Sequence, residues 1–344
     1  MAVRVALVGY GLAGKVFHAP LIVAVPGLEL ATIVSGDAAK VQADHAGVRV
    51  VATLDEMLRD ASIDLVVLAT PDALHEPQAL AVLDAGKHVV VDKPLALSVA
   101  QAERMAARVE ARGRLLSVFH NRRWDADFLT LRRLLATGTL GDIVQFETHF
   151  DRFRPQLQQR WKDRRDGGVW QDLGPHLLDQ VCVLFGMPRS IHADLCVQTP
   201  GRAAFDYAHA TLDYGRLRVI VHLSQSTPAH GLRFAVHGTR GSYIKHGLDV
   251  QEDQSKAGLR PGAEGWGEDP SPGQLWTVQG ETVAAPVVVA NVAGDYRHYY
   301  AGVRDAVRAQ APNPVPVSQA LDVMRLLDAG LLSAREGRVV PVGG

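Results

Sequence analysis

Cysteine is scarce in this sequence: Cys182 and Cys196 are the only two in 344 residues, and no CxxC spacing occurs. That excludes a disulfide framework and a cysteine-built zinc cage, and it fits a reducing compartment. An excess of one charge is also missing, since 36 Lys and Arg stand against 37 Asp and Glu, a net of −1. Binding to nucleic acid or an anionic membrane would call for a basic footprint, so neither partner is expected. No apolar run approaches the roughly 20 residues of a membrane span. The apolar N-terminus "MAVRVALVGYGLAGK" lacks the long apolar core and small-residue cleavage site of a secretory signal, so a cytoplasmic location is expected.

What is present is a chain long enough for two domains and a large core. In the first half, short apolar runs alternate with helical patterns. The runs are Val3–Val8, Leu28–Val34, "IDLVVLAT", "KHVVVDKP" and "RLLSVFH"; helical patterns cover 15–25, 37–46, 54–60, 75–85 and 98–112. Near-continuous Val, Leu and Ile in each run means strands buried on both faces, hence a parallel sheet. The expectation is a doubly wound Rossmann domain over residues 1–121, with ligands at the carboxyl ends of its strands.

"GYGLAG" sits between the first strand and the first helix and has G-x-G-x-x-G spacing. Gly9 permits a tight turn, Gly11 lets backbone approach a pyrophosphate, and Gly14 lets helix and strand pack closely. Gly9, Gly11, Leu12 and Gly14 are therefore expected to hold a dinucleotide. A methyltransferase shares this turn, but that reading gives the later Asp92-Lys93-Pro94 no role. At the end of the second strand, Ser35 occupies the place where a carboxylate would hold a ribose 2′-hydroxyl. Asp37 fits a helix cap, and Lys40 is positioned to reach a 2′-phosphate. NADP is favoured over NAD, with the ribose served by Asp37 as the alternative. Thr70, Pro71, His75, Asp92 and Lys93 lie where later strands end, and are expected beside the cofactor. Lys93 can reach the nicotinamide end, where desolvation would make its amine a usable proton carrier; the competing reading is a surface lysine beside a turn proline.

From Gly141 the pattern changes to period 2, as in "DIVQFETHF", "SIHADLCVQ", "YAHATLDY" and "LRVIVHLSQ". Residues 122–344 are expected to form an α+β domain whose large, mostly antiparallel sheet is open on one face. Gly186 stops one helix; Ser318 is placed to cap the last long helix and Gly337 to end it. Residues 256–273, rich in Gly and Pro, are expected to be an exposed loop. In "VWQDLGPHLLDQ", Asp172 and His176 are four apart and would share a helix face, with Pro175 confining them to a first turn. A histidine there can take a hydroxyl proton while Asp172 orients hydroxyls or the ring; a capping aspartate and a core histidine are the plain alternative. No third ligand accompanies the pair, so no metal is expected. Asn121, Arg152 and Trp161 are candidate substrate contacts. His149, His192, His209, His222 and His237 fall one per strand on the outward face.

"GYGLAGKVFHAP", "ATPDALHEPQALAVLDAGKHVVVDKP" and "GGVWQDLGPHLLD", in this order, resemble signatures of the glucose–fructose oxidoreductase, inositol dehydrogenase and rhizopine catabolism (Gfo/Idh/MocA) family. The resemblance spans the whole chain and is nearest to the NADP-type inositol and sugar dehydrogenases. It implies a two-domain NAD(P)-dependent oxidoreductase acting on sugars, inositols or related polyols. It maps Lys93, Asp172 and His176 onto the catalytic set, with Asp92 where the family has glutamate. It also implies a homodimer or higher homo-oligomer through the open sheet face. Apart from the resemblance, the histidines on that face would weaken such association as pH falls through the imidazole range, a solvated face being the plain alternative. A catalytically silent NAD(P) sensor of the same fold is the alternative function.

Overall fold

The apolar runs of the first half become six strands: β1 (Val3–Val8), β2 (Leu28–Val34), β3 (Arg49–Val51), β4 (Leu65–Leu68), β5 (His88–Val91) and β6 (Leu116–Val118). The computed structural model describes residues 2–154, 167–229 and 231–342. All six strands are parallel, in the order β3-β2-β1-β4-β5-β6. Every residue of β4 and β6 is buried, as a strand covered on both faces requires. Between the strands run α1 (Ala19–Ala24), α2 (Ala38–Asp44), α3 (Leu54–Leu58), α4 (His75–Asp84) and α5 (Val99–Arg112). Side chains of Asp37, Thr53 and Ser98 accept from backbone N–H groups in the first turns of α2, α3 and α5, which satisfies otherwise orphaned donors.

The chain divides into two compact units. The first comprises Met1–Trp124, Gln251–Trp266 and Asp295–Leu321; the second comprises Asp125–Val250, Gly267–Gly294 and Asp322–Gly344. The late helix Arg297–Val307 thus belongs with the parallel sheet. Its Tyr299 donates to Ser117 Oγ at 3.0 Å and packs edge-on against Phe119.

In the second unit α6 (Ala126–Ala136), α7 (Gly168–Asp172) and α8 (Gly174–Phe185) accompany a large sheet. Its strands are β7 (Ile143–Asp151), β8 (Ser190–Cys196), β9 (Tyr207–Tyr214), β10 (Leu217–Ser224), β11 (Leu232–Gly238), β12 (Gly241–His246), β13 (Gly273–Gln279), β14 (Thr282–Val283), β15 (Val287–Val289) and β16 (Val340–Pro341). They run in the order β14-β13-β12-β11-β7-β10-β9-β8-β16, with β15 beside β13. β7 and β10 are parallel and the other pairings antiparallel, which gives the mostly antiparallel sheet expected. Phe146, Thr148 and Phe150 point into the core with Leu177, Leu178 and Val181 of α8, while Glu147 and His149 alternate to the other face.

Within this core lies a fully buried guanidinium. Arg233 donates from Nε to Asp127 Oδ2 at 2.8 Å, from Nη1 to Thr148 Oγ1 at 2.8 Å and from Nη2 to Gln180 Oε1 at 2.7 Å.

Two local expectations need correction. The last long helix, Val317–Glu336, starts one residue before Ser318, which therefore lies inside its first turn and is no cap; Gly337, at φ +62°, does follow its end. The stretch from 257 to 272 has no helix or strand, but Trp266 within it is buried, so it is not simply an exposed loop. Among the described residues no helix is long and apolar enough to cross a membrane.

Candidate active site

The glycine turn is built as its spacing demands. Gly9 has φ +95°, and a Cβ there would sit 2.7 Å from the Ala69 carbonyl oxygen at the end of β4. A Cβ on Gly14 would overlap the Gly9 carbonyl oxygen, whereas a Cβ on Gly11 would meet nothing within 4 Å. Gly9 and Gly14 are thus required by packing, and Gly11 leaves an open cradle. Leu12, 66% exposed, begins the helix beside it. The helix then widens into a π-helical turn, Gly14–His18, before α1, a local form common at functional sites. Open backbone at a helix start, on the carboxyl side of β1, fits the pyrophosphate of a dinucleotide.

At the end of β2, Asp37 is committed. Its Oδ1 accepts from the Lys40 N–H at 2.9 Å, and its own N–H donates to Ser35 Oγ at 3.1 Å. The Lys40 ammonium donates to the Tyr10 carbonyl oxygen at 3.1 Å, which places it beside the glycine turn. The end of β2 therefore presents a hydroxyl and an exposed cation, with the nearest carboxylate used as a cap.

The Asp92-Lys93-Pro94 turn follows β5, and its Lys93–Pro94 peptide bond is cis. The Lys93 N–H donates to Asp92 Oδ1 at 2.7 Å. Asp92 Oδ2 lies 3.7 Å from Nε2 of His18, which is fully buried between Phe119 and Tyr300 and has Nδ1 2.6 Å from the Tyr300 hydroxyl. Burial pushes the Asp92 carboxyl up, but His18, then Lys93 and His75, outweigh it and hold it down at about 2. Asp92 therefore stays ionised through the neutral range. His75 is buried, with Nδ1 2.8 Å from the Pro94 carbonyl oxygen and Nε2 3.0 Å from that of Thr70. It ties the end of β4 to the lysine turn, a bracing position. Thr70 Oγ1 donates to Gln78 Oε1 at 2.7 Å, and Pro71 precedes the single 3₁₀ turn that opens α4. His18 is the residue sequence reasoning missed; it lay in "GYGLAGKVFHAP" without a role.

In the second unit, Gly167 (φ +88°) and Gly168 (φ +48°) start α7, and a Cβ on Gly168 would collide with Phe205 backbone. Asp172 ends α7 and His176 lies in the first turn of α8 behind Pro175, with Leu173 between the helices. The expectation of one shared helix is corrected: the pair flanks a helix–helix junction, because Pro175 suits a first turn and not an interior. His176 is buried, and its ring lies 6.3 Å from that of Phe150 at 26°.

Of the softer candidates, Asn121 heads the 3₁₀ turn after β6, and Arg152 follows β7 with its guanidinium 4.7 Å from the Phe150 ring centre. Trp161 lies outside the described residues. The structure thus gathers Gly9, Gly11, Ser35, Lys40, Thr70, Asp92 and Lys93 on the strand ends of the first unit, and Asp172 and His176 at one junction of the second.

Comparison with known proteins agrees with the fold. Residues 3–120 match the NAD-binding Rossmann fold of an oxidoreductase family, GFO_IDH_MocA, and residues 132–342 match that family's C-terminal alpha/beta domain. The chain is 50% identical over 335 residues to the uncharacterized oxidoreductase YdgJ of Escherichia coli, covering 97% of this chain and 96% of that one. It is 36% identical over 342 residues to scyllo-inositol 2-dehydrogenase (NADP(+)) IolW of Bacillus subtilis, covering 98% and 95%. The solved structure of YPO2259 from Yersinia pestis is similar at a TM-score of 0.97 and 47% identity, covering 100% and 98%.

Proposed function

Since the chain belongs to the Gfo/Idh/MocA family of NAD(P)-dependent oxidoreductases, we propose that it interconverts a secondary alcohol and a ketone on an inositol or related polyol, with NADP preferred over NAD. The observation that carries the substrate reading is the full-length similarity to IolW, a scyllo-inositol 2-dehydrogenase. When bound, the nicotinamide accepts or returns the hydride. His176 takes the hydroxyl proton, Lys93 polarises the reacting oxygen from the lysine turn, and Asp172 orients the neighbouring hydroxyls. Asp92, ionised and bonded through Oδ1 to the Lys93 N–H, keeps the turn that carries Lys93 in place. Turnover over a panel of inositols and aldoses tests the reading and separates it from a silent sensor, which would bind the cofactor and turn over nothing.

The NADP preference rests on Ser35 and Lys40. Ser35→Asp places a carboxylate where a 2′-phosphate would lie and is expected to weaken NADPH binding at least tenfold while sparing NADH. Lys40→Ala is expected to weaken NADPH alone, by roughly the 0.5–1.5 kcal/mol of a screened charge contact. Fluorescence titration of both cofactors reads this out, and equal losses for both would contradict it.

The proposed protein partner is a second copy, paired through the open face of the large sheet; support comes from the family resemblance. Sedimentation velocity is expected to give twice the chain mass, and a monomer at micromolar concentration would contradict pairing.

A further inference from the structure

The outward face of the large sheet carries a cluster that the redox chemistry does not use. β7 and β10 are parallel and register His149 against His222 and Asp151 against Ser224. Asp151 is thereby set between two imidazoles: its Oδ1 lies 2.8 Å from His222 Nδ1 and its Oδ2 lies 3.4 Å from His149 Nδ1. The two rings are 4.8 Å apart, and one ligand atom from each of the three residues falls within 4.8 Å of the others. We propose that His149, Asp151 and His222 form a binding site for a divalent late transition-metal ion, zinc foremost.

Three features carry this. The first is distance. Ligand bonds of about 2.0–2.1 Å in a tetrahedron put donor atoms about 3.3 Å apart; the imidazole nitrogens stand 2.8 and 3.4 Å from the two oxygens of Asp151, and all three ligand atoms fall within 4.8 Å. The second is the far side of His149, whose Nε2 faces Glu147 Oε2 at 3.5 Å. A ligating histidine commonly donates its other N–H to a carboxylate. The third is shelter. The side chains of His149, Asp151 and His222 are 16%, 6% and 19% exposed in the single chain, so an ion held there is mostly shielded from water. Room is supplied by Gly231, where a Cβ would stand 3.3 Å from Asp151 Oδ2. Two imidazoles and one carboxylate suit zinc, nickel, cobalt or copper and not magnesium or calcium. The fourth position is left to water.

The test uses the full chain, freed of any histidine tag and stripped with chelator, titrated with Co²⁺ alone and then with Zn²⁺. One Co²⁺ per chain is expected, with the visible bands of four-coordinate cobalt, displaced by Zn²⁺. His222→Gln and Asp151→Asn should each remove the bands, and Glu147→Gln should weaken binding by about 10–100-fold. His192→Ala, an exposed histidine of the same sheet, should change nothing. Circular dichroism shows whether each variant is folded, and only folded variants are scored. Absence of stoichiometric binding in the wild type overturns the site, as does undiminished binding in both His222→Gln and Asp151→Asn. A stoichiometry of one ion per two chains would also overturn it, because the ligands would then be shared between copies.

Discussion

His176→Ala and Lys93→Ala are each expected to lower kcat by about 10²–10⁴-fold, the usual worth of a positioned proton-transfer group, while the dissociation constant for NADPH stays within about threefold. The separation follows from where the residues lie. The groups expected to grip the dinucleotide, Gly9, Gly11, Ser35 and Lys40, stand at the glycine turn and the end of β2, whereas Lys93 follows β5 and His176 belongs to the other unit. Losing a proton carrier should therefore appear in kcat and in the pH–rate profile, and not in cofactor titration. Lys93→Arg is not expected to rescue, because a planar guanidinium holds its proton and cannot replace a compact amine. Asp172→Asn should cost less than either, since it keeps a polar side chain at the α7–α8 junction. Near-normal turnover in both alanine variants would refute the assignment.

Asp127→Ala is expected to destabilise the second unit by about 3–5 kcal/mol, the cost of leaving a buried guanidinium without its counter-ion. Arg233 is fully buried and its three nitrogens are shared among Asp127, Thr148 and Gln180. At about 2–4 °C per kcal/mol for a unit of this size, the midpoint for the second unit should fall by roughly 6–20 °C. The double variant Asp127→Leu/Arg233→Met removes both charges together, and should recover most of the loss. A fall in Tm of less than about 2 °C for Asp127→Ala would show that the charge finds water.

How much of this was legible depended on whether the signal was local. β1 and β2 could be bounded to the residue, because each is a mainly apolar run, broken only by Arg4 or by Glu29 and Thr32, and ended by Gly9 or Ser35. β3 was not found: it has three residues and begins on an exposed arginine, too short for any period. The glycine turn, the cap at Asp37 and the lysine turn were all readable, each being set within a few residues. The long-range pairings were not. Arg233 and Asp127 are 106 positions apart, and Arg233 sits in a strand whose sequence gives no hint that its head is buried. Alternation along β7 and β10 put His149 and His222 on the outward face. That they stand side by side depends on the parallel pairing of two strands whose partners are 73 positions apart, with β8 and β9 between them in sequence. His18 was hidden differently: an apolar neighbourhood gives no sign that a histidine will face the carboxylate after β5.

The most direct measurement is NADPH formation by the wild-type chain with a panel of inositols and aldoses, run beside NADH formation on the same panel. The proposal predicts turnover of at least one inositol, faster with NADP than with NAD. Tight cofactor binding with no turnover of any polyol, in either direction, would contradict it and leave a nucleotide sensor in its place.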